Sequence, residues 1–208
     1  MNKENYHRRS IRLPTYDYSQ EGYYFVTICT QNFRCDFGNI VNAEMELSPI
    51  GQMVDRGWQG LKNRFSSIDL DEYIVMPDHL HGIVVIKDDN DFVGAGLVPA
   101  HGQGDHKGRP YNRCPALLGD IIGAFKSITT CEYIYGIKTK NWPRFYKRFW
   151  QRNYYEHIIR SEESLDKIRE YTLKNPENWE YDRNNPINIS SEFGNSSESE
   201  DLDDQKFY

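Results

Sequence analysis

The stretch Val75 to Ile86, VMPDHLHGIVVI, sets two histidines one residue apart in a run that otherwise reads as a buried strand. Successive strand side chains point to opposite faces, so His79 and His81 share a face, roughly 6 to 7 Å apart at the backbone. Two imidazoles at that separation can converge on one metal ion. They can equally be unrelated, one hydrogen-bonded and one exposed, and the H-x-H pattern alone does not choose. Their same-face neighbours Ile83 and Val85 put the rings where a helix should cover the sheet. Polar rings buried there need partners, which a metal or a hydrogen-bonded phosphate would supply. His101, His106 and His157 add no zinc-site spacing to the pair.

A second constellation lies near the other end, in SEESLDKIREYTLKNPENW. Leu165, Ile168, Thr172 and Asn175 follow one helical stripe, and Tyr171 and Asn175, four apart, share a face. A phenol has a reference pKa near ~10, but a cation and a basic neighbour favour the phenolate, which attacks phosphorus well. Asn175 offers a hard oxygen, which suits Mg²⁺ or Mn²⁺ better than zinc. Spacing does not single out Tyr171 over Tyr154 or Tyr155, and packing is the commoner employment of a tyrosine.

The elements that must position these groups alternate along the chain. GYYFVTICTQ from Gly22 is aromatic and β-branched, a first strand. A hairpin arm follows, and then Ser48-Pro49, a helix cap with proline at the first turn. That helix should run to about Lys62, its apolar stripe Ile50, Met53, Val54, Trp58 and Leu61. Strands at 68–76 and 79–86 turn at Pro77-Asp78, a second helix covers ALLGDIIGAFKSITTCEYI, and 148–159 reads as a last strand. Ser161 caps a third helix, with Pro176 beyond its end. The order predicts an α+β fold: a ferredoxin-like split β-α-β arrangement, an antiparallel sheet with helices packed on it.

Three segments stand apart: a basic arm over 1–21, a mobile insertion over 87–115 within a 22–186 domain, and an acidic disordered tail over 187–208. The insertion's core, GAGLVPA, can be encoded by a GC-rich inverted repeat. Formal net charge is −6, yet Lys107 to Arg160 hold eleven bases against three acids, a candidate polyanion surface. The four cysteines form no C-x-x-C pair, no apolar run approaches membrane-spanning length, and MNKENYHRRSIRLP has no apolar stretch of signal-peptide length. A cytoplasmic location is the expectation.

MPDHLHGI, then FWQRNYYEHIIR, then IREYTLKNPENW, in that order, together resemble the REP-associated tyrosine transposases, single-tyrosine members of the HUH nuclease superfamily. The resemblance runs from about Tyr6 to Trp179. It implies cleavage of single-stranded DNA at hairpin-forming palindromic repeats. By position, His79 and His81 are the paired ligands, Tyr171 the nucleophile and Asn175 the residue completing a Mg²⁺ or Mn²⁺ site. Some relatives place an acid three residues before the first histidine; here that residue is Met76, so the role does not carry over. The basic residues Lys126, Lys138, Lys140, Arg144, Lys147, Arg148 and Arg152, with Arg8, Arg9 and Arg12 of the arm, would hold DNA phosphates. Interleaved aromatics from Phe145 to Tyr155 could stack bases, although packing is the commoner use of each. A monomer is favoured over a dimer. A non-catalytic nucleic-acid-binding protein and a small metallohydrolase with a water nucleophile stay open as other readings.

Overall fold

The computed structural model describes residues 16–87, 117–182, 185, 186 and 188. Most of the expected basic arm, nearly all of the expected insertion and nearly all of the expected tail lie outside them.

Strand β1 (Gly22–Cys29) is central, as its run of five consecutive buried residues requires. It pairs antiparallel with β5 (His79–Ile86) on one side and with β6 (Tyr155–Ile159) on the other. β4 (Ile68–Val75) pairs antiparallel with β5, giving the sheet order β4-β5-β1-β6. β1 and β4 therefore flank β5, and β5 and β6 flank β1, which is the split β-α-β arrangement predicted from the order of elements. A small hairpin, β2 (Gly38–Val41) and β3 (Glu44–Leu47), sits in the first crossover.

The even-numbered residues of β1 and β5 face the larger core. Tyr24, Val26, Ile28, Leu80, Val84 and Ile86 pack there against α1 (Pro49–Gln59) and α3 (Leu118–Thr139), around Trp58 and Phe125. Ser48 caps α1 with its hydroxyl, accepting from the amides of Ile50 and Gly51, and Pro49 takes the first-turn position where a missing N–H costs nothing. The opposite face carries Phe25, Ile83 and Ile159, covered by Leu165 of α4 (Glu162–Leu173). Ser161 caps that helix, with Glu162 and Glu163 in its first turn where the macrodipole favours acids.

Three boundaries differ from expectation. The first helix does not run unbroken to Lys62: it ends at Gln59, and the four-residue α2 (Leu61–Arg64) follows Gly60. The second helix extends to Thr139, because Trp142 folds back onto Gly136, where a Cβ would lie 2.2 Å from the indole ring. The last strand is only Tyr155–Ile159, not 148–159. Consecutive Phe149 and Trp150 are both buried, at 3% and 5% exposure, which the alternation of a regular strand does not allow. Lys147 has φ 62°, and the chain touches the sheet edge only at an isolated bridge between Thr30 and Trp150.

Candidate active site

Period-2 alternation puts the odd-numbered residues of β5 under α4. His79 is fully buried and His81 is 3% exposed. Each ring is fixed through its Nδ1: His79 to the Asp78 carboxylate at 2.6 Å, His81 to the hydroxyl of Thr27, its partner across the ladder, at 2.8 Å. Those bonds leave both Nε2 atoms turned towards one another, 3.0 Å apart. Trp179 lies at a tilt beside His79, with ring centroids 6.1 Å apart.

Helix α4 brings Tyr171 over this pair. Leu165 and Thr172 are buried, so Tyr171, one residue before Thr172, sits at the margin of the covered face and is 50% exposed. Its ring stands edge-on to Phe25 and His81, with centroids 6.1 and 5.4 Å away, and its hydroxyl is 3.5 Å from Nε2 of His81. That separation is a contact at the limit of hydrogen bonding. The last turn closes at Lys174, and Asn175 continues in helical conformation as the start of a 3-10 helix (Pro176–Tyr181). Asn175 is 2% exposed, and its Oδ1 has no hydrogen-bond partner.

The 3-10 turn delivers a residue that the sequence reading did not single out. Asp182 follows it, and its Oδ2 lies 4.0 Å from Nε2 of His79. Among the described residues, His79, His81 and Asp182 form the one group of three whose ligand atoms all lie within 4.8 Å of each other. Met76, three residues before His79, is fully buried, and the carboxylate of the group is that of Asp182. The only signal for it in sequence was its place a few residues beyond Asn175.

The electrostatics of the cluster are set by burial and by its two carboxylates. Burial, with the charge of His79 second, drives the His81 pKa well below its usual 6.5, so this ring is neutral with a lone pair to offer. Burial raises the Asp78 carboxyl, against the stabilising bond from His79. Nearby Cys29 is pushed up to about 12 by burial and then by Asp78 and Asp182. Burial, then Asp182, raises the Tyr171 phenol, while a hydrogen bond from Asn175 opposes them. A six-coordinate ion with ligands at ~2.1 Å separates neighbouring donors by about 3.0 Å. The Nε2 pair matches that spacing, and Asn175, which hydrogen-bonds the Tyr171 phenol, keeps an Oδ1 with no hydrogen-bond partner. The donor set fits a divalent cation.

The basic residues divide. Lys126 spends its ammonium on the carbonyls of Gln151 and Asn153, at 3.0 and 2.9 Å, and burial lowers its pKa to about 8. Lys138, Lys140, Arg144, Lys147, Arg148 and Arg152 are exposed. Lys126, Lys147 and Arg148 line one groove of about 460 Å³ with Ile134, Cys131 and Phe145. Phe149 and Trp150 belong to the core around Tyr133 and Phe37, whereas Tyr146 is 73% exposed under the Lys147 ammonium. Arg8, Arg9, Arg12, His101 and His106 lie outside the described residues. His157 sits on β6, opposite Phe25.

No family model matches the chain. A solved structure of a REP-associated tyrosine transposase bound to a REP hairpin is 18% identical, with a TM-score of 0.49, covering 87% of this chain and 77% of that one. A crystal structure of a candidate transposase from Deinococcus radiodurans is 14% identical, with a TM-score of 0.42, covering 81% and 98%. Both TM-scores fall below 0.5, and neither likeness bears on function. An uncharacterized protein of Haemophilus influenzae is 38% identical over 181 residues, spanning 86% of this chain and 93% of the relative. At that identity and coverage, the chain belongs to the family of that Haemophilus protein.

Proposed function

We propose that the protein is a transposase-like, metal-dependent endonuclease and strand transferase acting on single-stranded DNA at hairpin or palindromic repeats. The observation that carries this reading is the half-exposed Tyr171, its hydroxyl 3.5 Å from His81 Nε2. The hydroxyl meets Asn175 and His81 of the buried donor cluster, while half of the side chain faces solvent, where a polymer can reach it.

His79 and His81, with Asn175 and Asp182, would hold Mg²⁺ or Mn²⁺. Such an ion, when bound, polarises a phosphodiester and neutralises developing charge. Tyr171 Oη gives up its proton and attacks phosphorus, the bond to the 3′ oxygen breaks, and that oxygen leaves as a 3′-hydroxyl, taking up one proton in return. The strand stays joined to the protein as a 5′-phosphotyrosine. The bond energy is retained, so a second hydroxyl can reverse the step without ATP. Thr27 and Asp78 keep the two imidazoles aimed at one point, and α4 excludes water from the buried side of the phenol. The exposed cations Lys138, Lys140, Arg144, Lys147, Arg148 and Arg152, with Arg8, Arg9 and Arg12, serve the sugar-phosphate backbone. The working unit in this reading is residues 22–186 with the basic arm before it, acting as a monomer.

A hairpin-bearing single strand incubated with Mn²⁺ should yield a nick and a covalent adduct. Peptide mass spectrometry should map that adduct to Tyr171. Binding without nicking would instead favour a non-catalytic nucleic-acid-binding protein.

A further inference from the structure

Helix α4 meets the sheet through a small apolar contact: Leu165 packs on Phe25, Ile83 and Ile159, with Tyr23, Tyr155 and Ile168 around them. Apolar contacts are non-directional and leave a helix free to slide or turn. A turn of roughly 20° about the axis sweeps a group ~9 Å from it by about 3 Å, enough to carry a phenol out of reach of its target. Something must fix the angle.

Two residues before Tyr171, Arg169 reaches β4 with both prongs of its guanidinium. Nε donates to Asp71 Oδ1 at 2.9 Å and Nη2 to Asp71 Oδ2 at 2.6 Å, while Nη1 bonds Asp166 of its own helix at 3.1 Å. Asp71 lies in a break of the ladder: β4 pairs regularly with β5 up to Leu70 and again from Tyr73, with a register shift between. Bulges of this kind re-aim side chains. Asp71 Oδ1 is further held by the amide of Glu72 at 2.7 Å. The carboxylate is 16% exposed and the guanidinium 35%, so the fork is partly shielded, and its planar two-bond geometry is directional where the apolar contact is not.

We infer that the bulge, Asp71 and Arg169 form a positioning clamp that sets the reach of Tyr171 towards His81. This deepens the proposed function and rests on it. Neither residue touches the reacting atoms; both act through the angle of α4.

The test uses the full chain with Mn²⁺ and a hairpin-bearing single strand in single turnover, comparing wild type with Arg169→Lys, Asp71→Asn and the exchange Asp71→Arg with Arg169→Asp. The cleavage rate should fall about 10- to 100-fold in each single variant, as small misplacements of a nucleophile do. Oligonucleotide affinity should be unchanged, and the exchange should recover most of the rate. Wild-type rates in the single variants, or an exchange as slow as they are, overturn the clamp. A second readout needs neither cleavage nor metal: the ¹⁹F shift of 3-fluorotyrosine placed at position 171, which senses the Phe25 and His81 rings. It should move in the single variants and return in the exchange. A wild type that does not cleave defeats the nuclease reading alone, and the ¹⁹F shifts then decide the clamp, which falls if they are unmoved.

Discussion

Tyr171 and His81 are 90 residues apart in sequence, yet the phenol oxygen of one lies 3.5 Å from Nε2 of the other. The phenol is the edge of a covered helix face, the imidazole the floor of a buried strand face, and their meeting puts a hydroxyl beside a ring nitrogen. Tyr171→Phe removes one oxygen and leaves the packing on Phe25 intact. Nicking should fall at least ~10³-fold with DNA affinity and melting temperature unchanged, as expected for loss of a covalent nucleophile. Undiminished nicking, measured on a labelled strand, would instead fit a water nucleophile.

Removal of metal should be as costly as removal of the phenol. His79→Ala and chelation should each abolish nicking, with Mn²⁺ restoring only the chelated wild type. Asp78 is a sensitive point, because it orients His79 from behind. Asp78→Asn should weaken Mn²⁺ binding by about 10- to 100-fold in titration calorimetry. Asp182→Asn should weaken it too if its carboxylate is a ligand, and an unaltered isotherm would exclude it.

Acid stability should report the Asp71–Arg169 pair. Hydrogen bonds from Arg169 come first among the causes that hold the Asp71 carboxyl below its usual 3.8. A depressed carboxyl stabilises the fold above its unfolded-state value and loses that contribution as pH falls through the folded value. Wild type and Asp71→Asn should therefore differ by about 1 kcal/mol in urea unfolding at pH 7, the partial exposure of the pair holding the figure down. The difference should shrink as pH falls below the usual carboxyl value of 3.8 and through the lower folded-state value.

Gly82 separates the site from the core. A Cβ there would lie 2.4 Å from the Trp58 ring. Gly82→Ala should cost about 1 to 3 kcal/mol by overpacking, seen as a lower urea midpoint. Gly123, where a Cβ meets nothing within 4 Å, is the control position for the same substitution.

The exposed cations should act through phosphates. Replacing Lys147, Arg148 and Arg152 singly by alanine should each reduce the slope of log affinity against log salt by about 0.7 for a single strand. Tyr146→Ala should weaken binding by roughly 1 to 3 kcal/mol at little cost in stability. Phe149→Ala, by contrast, should cost about 3 to 5 kcal/mol of stability, since that ring is core.

Regular periodicity made much of this legible from sequence. Alternation along β5 put His79 and His81 on one face, and the stripe through Leu165, Ile168 and Thr172 predicted which side of α4 meets the sheet. Irregular backbone hid the rest. Asp182 arrives by a 3-10 turn and Asp71 by a ladder break, neither of which leaves a repeating pattern. The aromatic run around Phe149 and Trp150 has the composition of a strand, so the absence of alternation there was obscured by residue type.

The imidazoles of β5 leave the ribosome well before α4 and Asp182 do. At ordinary elongation speeds, that interval lasts on the order of 5 to 20 s. A nascent chain thus carries the paired imidazoles without the phenol, and any activity that needs both is withheld until α4 has emerged.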